Sequence, residues 1–255
     1  MKLRRTMKFK DYFSEQSADY AKYRPRYPAA LFEYLASLTD ERELAWDCAT
    51  GNGQAALGLA PHFAQVIATD ASASQLESAL PHERIKYRVA PAEHTDIAAR
   101  SVNLVMVAQA LHWFDLDAFY SEVRRVLVPS GILAVSAYNL LEIEPSIDEK
   151  INAFYDDTVG PYWPPERRLL EDGYKSLPFP FRELDSPLVS MEANWNLLEL
   201  AGYLRTWSAT KQFTKANGFN PVDDLVNELL PLWDAPEKAK HVRWPLSLRV
   251  GVNEL

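Results

Sequence analysis

With 255 residues, 47% apolar and 24% charged, the chain is long enough for one large domain and has ordinary globular usage, which excludes a disordered or fibrous protein. Lys and Arg total 27 against 35 Asp and Glu, a net charge of −8 that argues against a general nucleic-acid binder, which needs a basic face to displace counterions. The single cysteine, Cys48, excludes an internal disulfide and fits a reducing compartment.

The N-terminal ten residues, MKLRRTMKFK, are basic but lack the apolar stretch of a secretory signal, so they read as a solvated end. The longest charge-free run, 48–69, is broken by Asn52, Gln54, Pro61, His62 and Gln65, each costly in hydrocarbon. The expectation is a cytoplasmic protein with no membrane partner. Residues 11–38 have helical texture on both sides of Arg24-Pro25-Arg26-Tyr27-Pro28.

Between residues 39 and 139, apolar runs alternate with amphipathic stretches. The runs 44–49, 65–69, 85–90, 102–108 and 132–137 are continuous, as expected of strands covered on both faces of a parallel sheet. Residues 54–60, 72–80 and 115–128 carry helical spacing; in the last, Leu116, Phe119, Tyr120, Val123, Val126 and Leu127 form one apolar face. Right-handed crossovers between such elements give a doubly wound α/β sheet. From 140 to 255 the texture changes: eleven of the 17 prolines and five of the seven tryptophans lie there. Helices are predicted over 146–159, 165–174, 196–210 and 222–233, and strands over 183–191 and 242–250. Such a tail can complete the sheet while its helices build a lid.

The first predicted strand ends in Asp47-Cys48-Ala49-Thr50-Gly51-Asn52-Gly53 and runs into a helix. Two glycines at that bend allow positive φ and close approach of a ligand, and helix-start N–H groups are expected to face it. Asp70, seventeen residues beyond Gly53, ends the second strand, where an acid can accept the hydroxyl hydrogens of a ribose. These parts describe a nucleoside site. Gly51-x-Gly53-x-x-Ala56 with Asp70 also satisfies a loose dinucleotide fingerprint. Asp47 weighs against that reading, because a carboxylate there repels pyrophosphate and suits an ammonium or sulfonium. A plainer role for Asp47 is to cap the loop.

In these motifs the sequence resembles the class I methyltransferases that use S-adenosyl-L-methionine (SAM) and release S-adenosyl-L-homocysteine (SAH). Asp47-x-Ala49-x-Gly51-x-Gly53 resembles their first motif, Asp70 the ribose acid, and Ala92-Glu93 the adenine-edge motif. Residues 102–114 resemble the fourth-strand motif, and 125–131 the approach to the fifth strand. Ala49 stands where most members have glycine, which is tolerable if its φ stays negative. Segments 23–28, 112–115, 160–163 and 203–209 resemble the trans-aconitate methyltransferase group, which esterifies small carboxylic acids. The resemblance implies one domain with a Rossmann-like, mostly parallel seven-stranded sheet under a lid from both chain ends. It implies cofactor contacts at Tyr20, Arg24, Asp47, Ala49, Gly51, Gly53, Asp70, Ala71, Gln75, Ala92, Glu93 and Gln109.

Methyl transfer from a sulfonium is an in-line displacement, in which positioning alone supplies on the order of 7–11 kcal/mol. A carboxylate acceptor is ionised at pH 7 and needs no base, but it does need cationic or hydrogen-bonding partners. Arg205 and Arg24 are candidate clamps, for the acceptor or for SAM itself; the plainer reading of Arg205 is a salt bridge to Glu199 or Asp224. His112 lies past the fourth strand, on the ligand-binding edge; with its pKa near neutrality it is the base if the acceptor is a hydroxyl, quinone, ring carbon or other natural-product group. Trp113, Tyr162, Trp163 and Trp207 are candidates for an aromatic enclosure over the sulfonium, beside Ser208. The five histidines show no metal-ligand spacing, so no metal is expected. A third possibility is a SAM-binding protein without catalysis, and the chain is expected to be a monomer or homodimer.

Overall fold

The computed structural model describes residues 23–254. Tyr20 and the first half of the expected N-terminal helical segment lie outside the described residues. Eight strands form one sheet: β1 (Leu44–Cys48), β2 (Gln65–Asp70), β3 (Ile85–Val89), β4 (Val102–Ala108), β5 (Leu127–Tyr138), β6 (Arg182–Leu184), β7 (Val189–Trp195) and β8 (Lys240–Val252). Their order is β3-β2-β1-β4-β5-β8-β6, with β7 also on β8. The first five strands are parallel, and β8 enters antiparallel beside β5. The chain reverses its direction of winding between β1 and β4, which opens a crevice at the C-terminal ends of those strands.

The expected seven-stranded sheet is realised with one change. The single strand expected over 183–191 is two strands that share one edge of β8, β6 on its end and β7 on its beginning. Asp185-Ser186-Pro187-Leu188 separates them, and Pro187 has no N–H to give a ladder. β5 also begins earlier than expected, at Leu127, directly after the helix that precedes it. It crosses Pro129-Ser130-Gly131 with a register shift against β4 and with Ser130 at φ +61°.

Strand alternation sorts the core into two layers. Ala45, Leu104, Met106, Ile132 and Ala134 face one layer with α1 (Ala29–Ser37) and α2 (Gln54–Leu59); Trp46, Val105, Val107, Leu133 and Val135 face the other. The second layer is closed by α4 (Leu116–Val126), whose Phe119, Tyr120, Val123 and Val126 are buried and whose start is capped by Asp115. α3 (Ala73–Glu77) follows β2.

In the tail, α5 (Pro145–Ala153) runs into a π-helical turn, Phe154–Thr158, and α6 (Arg167–Glu171) follows. The helix expected over 196–210 breaks in two. α7 (Leu197–Arg205) starts at an Asn196/Glu199 capping box, and α8 (Ser208–Asn217) ends at Gly218, φ +80°. Between them the Thr206 hydroxyl donates to the Tyr203 carbonyl, which closes α7. α9 (Val222–Leu229) follows.

Trp244 of β8 pins this tail to the sheet. It is fully buried, 4.8 Å from the Trp195 ring and 5.5 Å from the Tyr203 ring, and donates Nε1–H to the Tyr203 hydroxyl at 3.2 Å. Trp244→Ala should lower the unfolding free energy by about 3–5 kcal/mol, read from urea denaturation; a loss below about 1 kcal/mol contradicts this packing role.

Candidate active site

β1 ends in a bend with three residues in the left-handed region: Ala49 at φ +56°, Gly51 at +57° and Gly53 at +87°. The negative φ that would make an alanine easy to accept is not adopted; Ala49 holds a conformation that costs an L-residue about 1–2 kcal/mol. A Cβ on Gly53 would run into the Tyr87 hydroxyl, so glycine is required there twice over, for conformation and for space. Three amides of the bend are bonded within the chain. Thr50 N–H donates to the Thr69 carbonyl at 2.9 Å, Gly51 N–H to Asp70 Oδ2 at 2.9 Å, and Gly53 N–H to the Thr50 carbonyl at 2.9 Å. Asp70 Oδ1 accepts from Ser72 N–H at 2.8 Å, so this acid braces the bend from β2.

Asp47 lies under the bend, wholly buried. Its Oδ2 accepts from the Thr50 hydroxyl and the Ala56 amide of α2 faces the carboxylate, so the loop-capping role is real. Oδ1, however, is buried with no hydrogen-bond partner. Burial, reinforced by the nearby Asp70 charge, pushes the Asp47 pKa up to about 7 against the bonds that oppose it. Buried, this carboxylate holds its charge at neutral pH only in part unless a cation faces it.

Gln75 reaches the Gly51 side, with its Oε1 3.8 Å from where a Cβ would stand. Ala71 is exposed and Ala92 buried, while Glu93 accepts the Asp115 amide at 3.1 Å and so ties its loop to the start of α4. Gln109, at φ +59°, uses both ends of its amide on the Tyr138 backbone, each at 2.8 Å, and joins the ends of β4 and β5. Arg24 Nη1 donates to the Tyr138 hydroxyl at 2.7 Å, with the guanidinium 5.6 Å over the Tyr203 ring.

On the far side of the β4 edge, His112 Nδ1 lies 2.7 Å from the Tyr174 hydroxyl. Backbone amides of His112 and Leu111 face the same phenol oxygen, which turns the phenol proton toward Nδ1 and assigns the imidazole proton to Nε2. Burial and the charge of Arg167 pull the His112 pKa down to about 3. The ring is therefore neutral at physiological pH, its titration well below the near-neutral one expected of it.

The four aromatic residues expected as an enclosure are split. Trp163 and Trp207 pack at 5.6 Å, joined by Tyr155 at 5.1 and 5.8 Å. Trp113 packs on His112 at 4.5 Å with the rings tilted, whereas Tyr162 turns to α8, against Phe213, and accepts from Asn217. Ser208 starts α8, half-buried. Arg205 sits in the last turn of α7, exposed, and pairs with Asp223 at 2.7 Å, a surface salt bridge as in the plainer reading but with neither Glu199 nor Asp224; the clamp role is corrected. Residues that sequence reasoning missed are Tyr155, Tyr174 and Arg167. The π-helical turn directs both Phe154 and Tyr155 inward, and no local pattern announces it.

Among the described residues no group of His, Cys, Asp and Glu is placed to hold a metal, and no helix is long and apolar enough to cross a membrane. The strand order, the glycine bend, the buried acid with an unmatched oxygen and the acid on β2 define a Rossmann-like fold built for a cationic nucleoside. The comparisons agree. The family described as a methyltransferase domain matches residues 46–135. A Dictyostelium discoideum protein provisionally named a methyltransferase is 33% identical over 254 residues, 97% of each chain. A Saccharomyces cerevisiae protein provisionally named a SAM-dependent methyltransferase is 25% identical over 256 residues, 84% of this chain and 87% of that one. A solved structure from Anaeromyxobacter dehalogenans, provisionally named a type II methyltransferase, superposes with a TM-score of 0.86 at 42% identity, over 91% of this chain and 98% of that one. The chain belongs to the class I SAM-dependent methyltransferases, and SAM is its cofactor.

The raised pKa of Asp47 has a sign that stability measurements read. An aspartate of ordinary pKa, about 3.9 in the unfolded chain, binds its proton more tightly when folded. Its contribution is fully present below about pH 4 and is lost as pH rises through about 7. In ligand-free protein, the stability difference between wild type and Asp47→Asn should shift in favour of the variant from pH 5 to pH 8 in chemical denaturation. A difference that stays constant with pH contradicts the shift.

Proposed function

We propose that the enzyme transfers the methyl group to a carboxylate oxygen of a small acid. The observation that supports this most is His112, a neutral ring with a pKa near 3 at the acceptor side of the sheet edge. Taking a proton from a hydroxyl of pKa about 10 with such a base is uphill by on the order of 10 kcal/mol, whereas a carboxylate arrives ionised.

In this reading Asp47 and the Ala49–Gly53 bend hold the methionyl end of SAM, Asp70 the ribose, and Ala92 with Glu93 the adenine, flanked by Tyr20, Ala71, Gln75 and Gln109. The unmatched Asp47 Oδ1 supports the first assignment, since a buried carboxylate oxygen gains most from an ammonium. Arg24 closes this end over Tyr138. Bound SAM supplies an electrophilic methyl carbon on a sulfonium. The acceptor oxygen gives its electron pair to that carbon while sulfur keeps the pair of the broken bond, so no proton has to leave. The chain's work is alignment and the exclusion of water: His112 Nε2–H orients the acceptor, and Trp113, Trp163 and Trp207 with Tyr155 wall the site. Ser208, at the start of α8, and Tyr162, packed on Phe213 of α8, support the wall.

The test is a search for carboxylic acids that gain one methyl group on mixing with SAM, followed by a pH profile. At saturating SAM, kcat should stay level from pH 8 to about 5 and fall only as the acid protonates; a fall centred near pH 6.5 contradicts the proposal. His112→Asn, which keeps an N–H donor, should retain kcat within about tenfold, whereas loss of a true general base costs about 10²–10⁴-fold.

A further inference from the structure

The sequence placed the acceptor's cationic partner at Arg205 or Arg24. The fold points elsewhere. α6 packs against the Leu111–Trp113 turn and against β5, which brings Arg167, its first residue, to the C-terminal edge of the sheet. The guanidinium lies 4.7 Å over the Trp163 ring and 5.5 Å from the Tyr155 ring. Its Nε donates to the Tyr155 hydroxyl at 3.0 Å and its Nη2 to Asn139 Oδ1 at 3.3 Å.

Both hydrogen-bond partners are neutral. Arg125, Arg243 and Arg249 each meet a glutamate at 2.5–2.7 Å, but no such ion pair includes Arg167 among the described residues. The nearest acid in its network, Glu171, is bonded to the Tyr155 hydroxyl at 2.6 Å, so the phenol stands between the two charges. Of five guanidinium N–H groups two are used, and three donors remain on a half-buried fork held flat by an indole.

The site is also divided electrically. The charge of Arg167 acts on His112, Tyr155 and Tyr174, while that of Asp47 acts on Cys48 and Tyr87. An anion drawn to Arg167 therefore arrives beside the His112 ring, at the end of the crevice opposite the carboxylates that suit a cationic nucleoside.

We propose that Arg167 is the specificity residue of the acceptor pocket, a two-point fork that receives a carboxylate of the acceptor while Trp163 and Tyr155 line the place of its carbon skeleton. The acceptors selected are acids with a flat, unsaturated or aromatic skeleton, in preference to neutral molecules of the same shape. The inference rests on the carboxylate reading of the proposed function.

The test is ligand-observed saturation-transfer NMR on full-length protein loaded with SAH. The probes are cinnamate, fumarate and benzoate, each against its neutral amide. Wild type should bind at least one acid at least tenfold more tightly than the matching amide. Arg167→Gln should lose that preference tenfold or more, and Arg167→Lys, a charge without a fork, should recover only part of it. The SAH affinity of both variants should stay within about twofold of wild type, which also verifies folding. Equal binding of an acid by wild type and Arg167→Gln overturns the inference and leaves carboxylate methylation standing. A tenfold loss of SAH affinity in both variants overturns it by assigning Arg167 to the cofactor, and failure of all three acids to bind wild type overturns it outright. Acids that bind through Arg167 but receive no methyl group uphold the anchor and sink the carboxylate reading instead.

Discussion

A carboxylate buried without a matching cation is the constraint around which this site is built. Taking Asp47 out of water is unfavourable, and the Thr50 hydroxyl with the α2 amide of Ala56 offsets only part of that. The bend above it is held by the chain itself: the amides of Thr50, Gly51 and Gly53 are bonded within the protein, and Asp70 braces it from the next strand. What the bend offers a ligand is therefore an unmatched Asp47 oxygen and a narrow backbone, more than a row of open N–H donors. A positive nucleoside gains from the first; a pyrophosphate gains from neither.

The opposite end of the crevice has the complementary character. β4 and β5 end side by side, tied by the Gln109 amide to Tyr138, and the tail lays α6 and the π-helical turn across them. That arrangement keeps His112 neutral, bonded to the Tyr174 phenol and under the charge of Arg167, and it builds the Tyr155–Trp163–Trp207 wall. The sheet supplies the separation: acidic groups cluster at the ends of β1 and β2, and Arg167 sits beyond β4. The proposed chemistry, a cationic donor meeting an anionic acceptor, uses that polarity directly.

Much of the fold was legible because it is local. Continuous apolar runs marked β1, β2, β3 and β4 within a residue or so, and glycine spacing with Asp47 and Asp70 marked the bend. The errors lie where distant residues decide. Ala49 takes a positive φ because the bend demands it, which its side chain alone argues against. Arg205 and Arg167 both stand in short amphipathic helices, and nothing nearby distinguishes them. One meets Asp223, eighteen residues on, and becomes a surface pair; the other is turned inward by packing on the Leu111–Trp113 turn. The pKa of His112 likewise depends on burial and on the charge of Arg167, which the tail brings.

The central claim is that Asp47 carries its full charge when a cation occupies the bend. ¹³C NMR titration of the Asp47 carboxyl, with and without SAH, reads this directly. The expected midpoint is near 7 in the ligand-free protein, falling by about two pH units or more in the SAH complex. A midpoint that stays put, or rises, on SAH binding contradicts it.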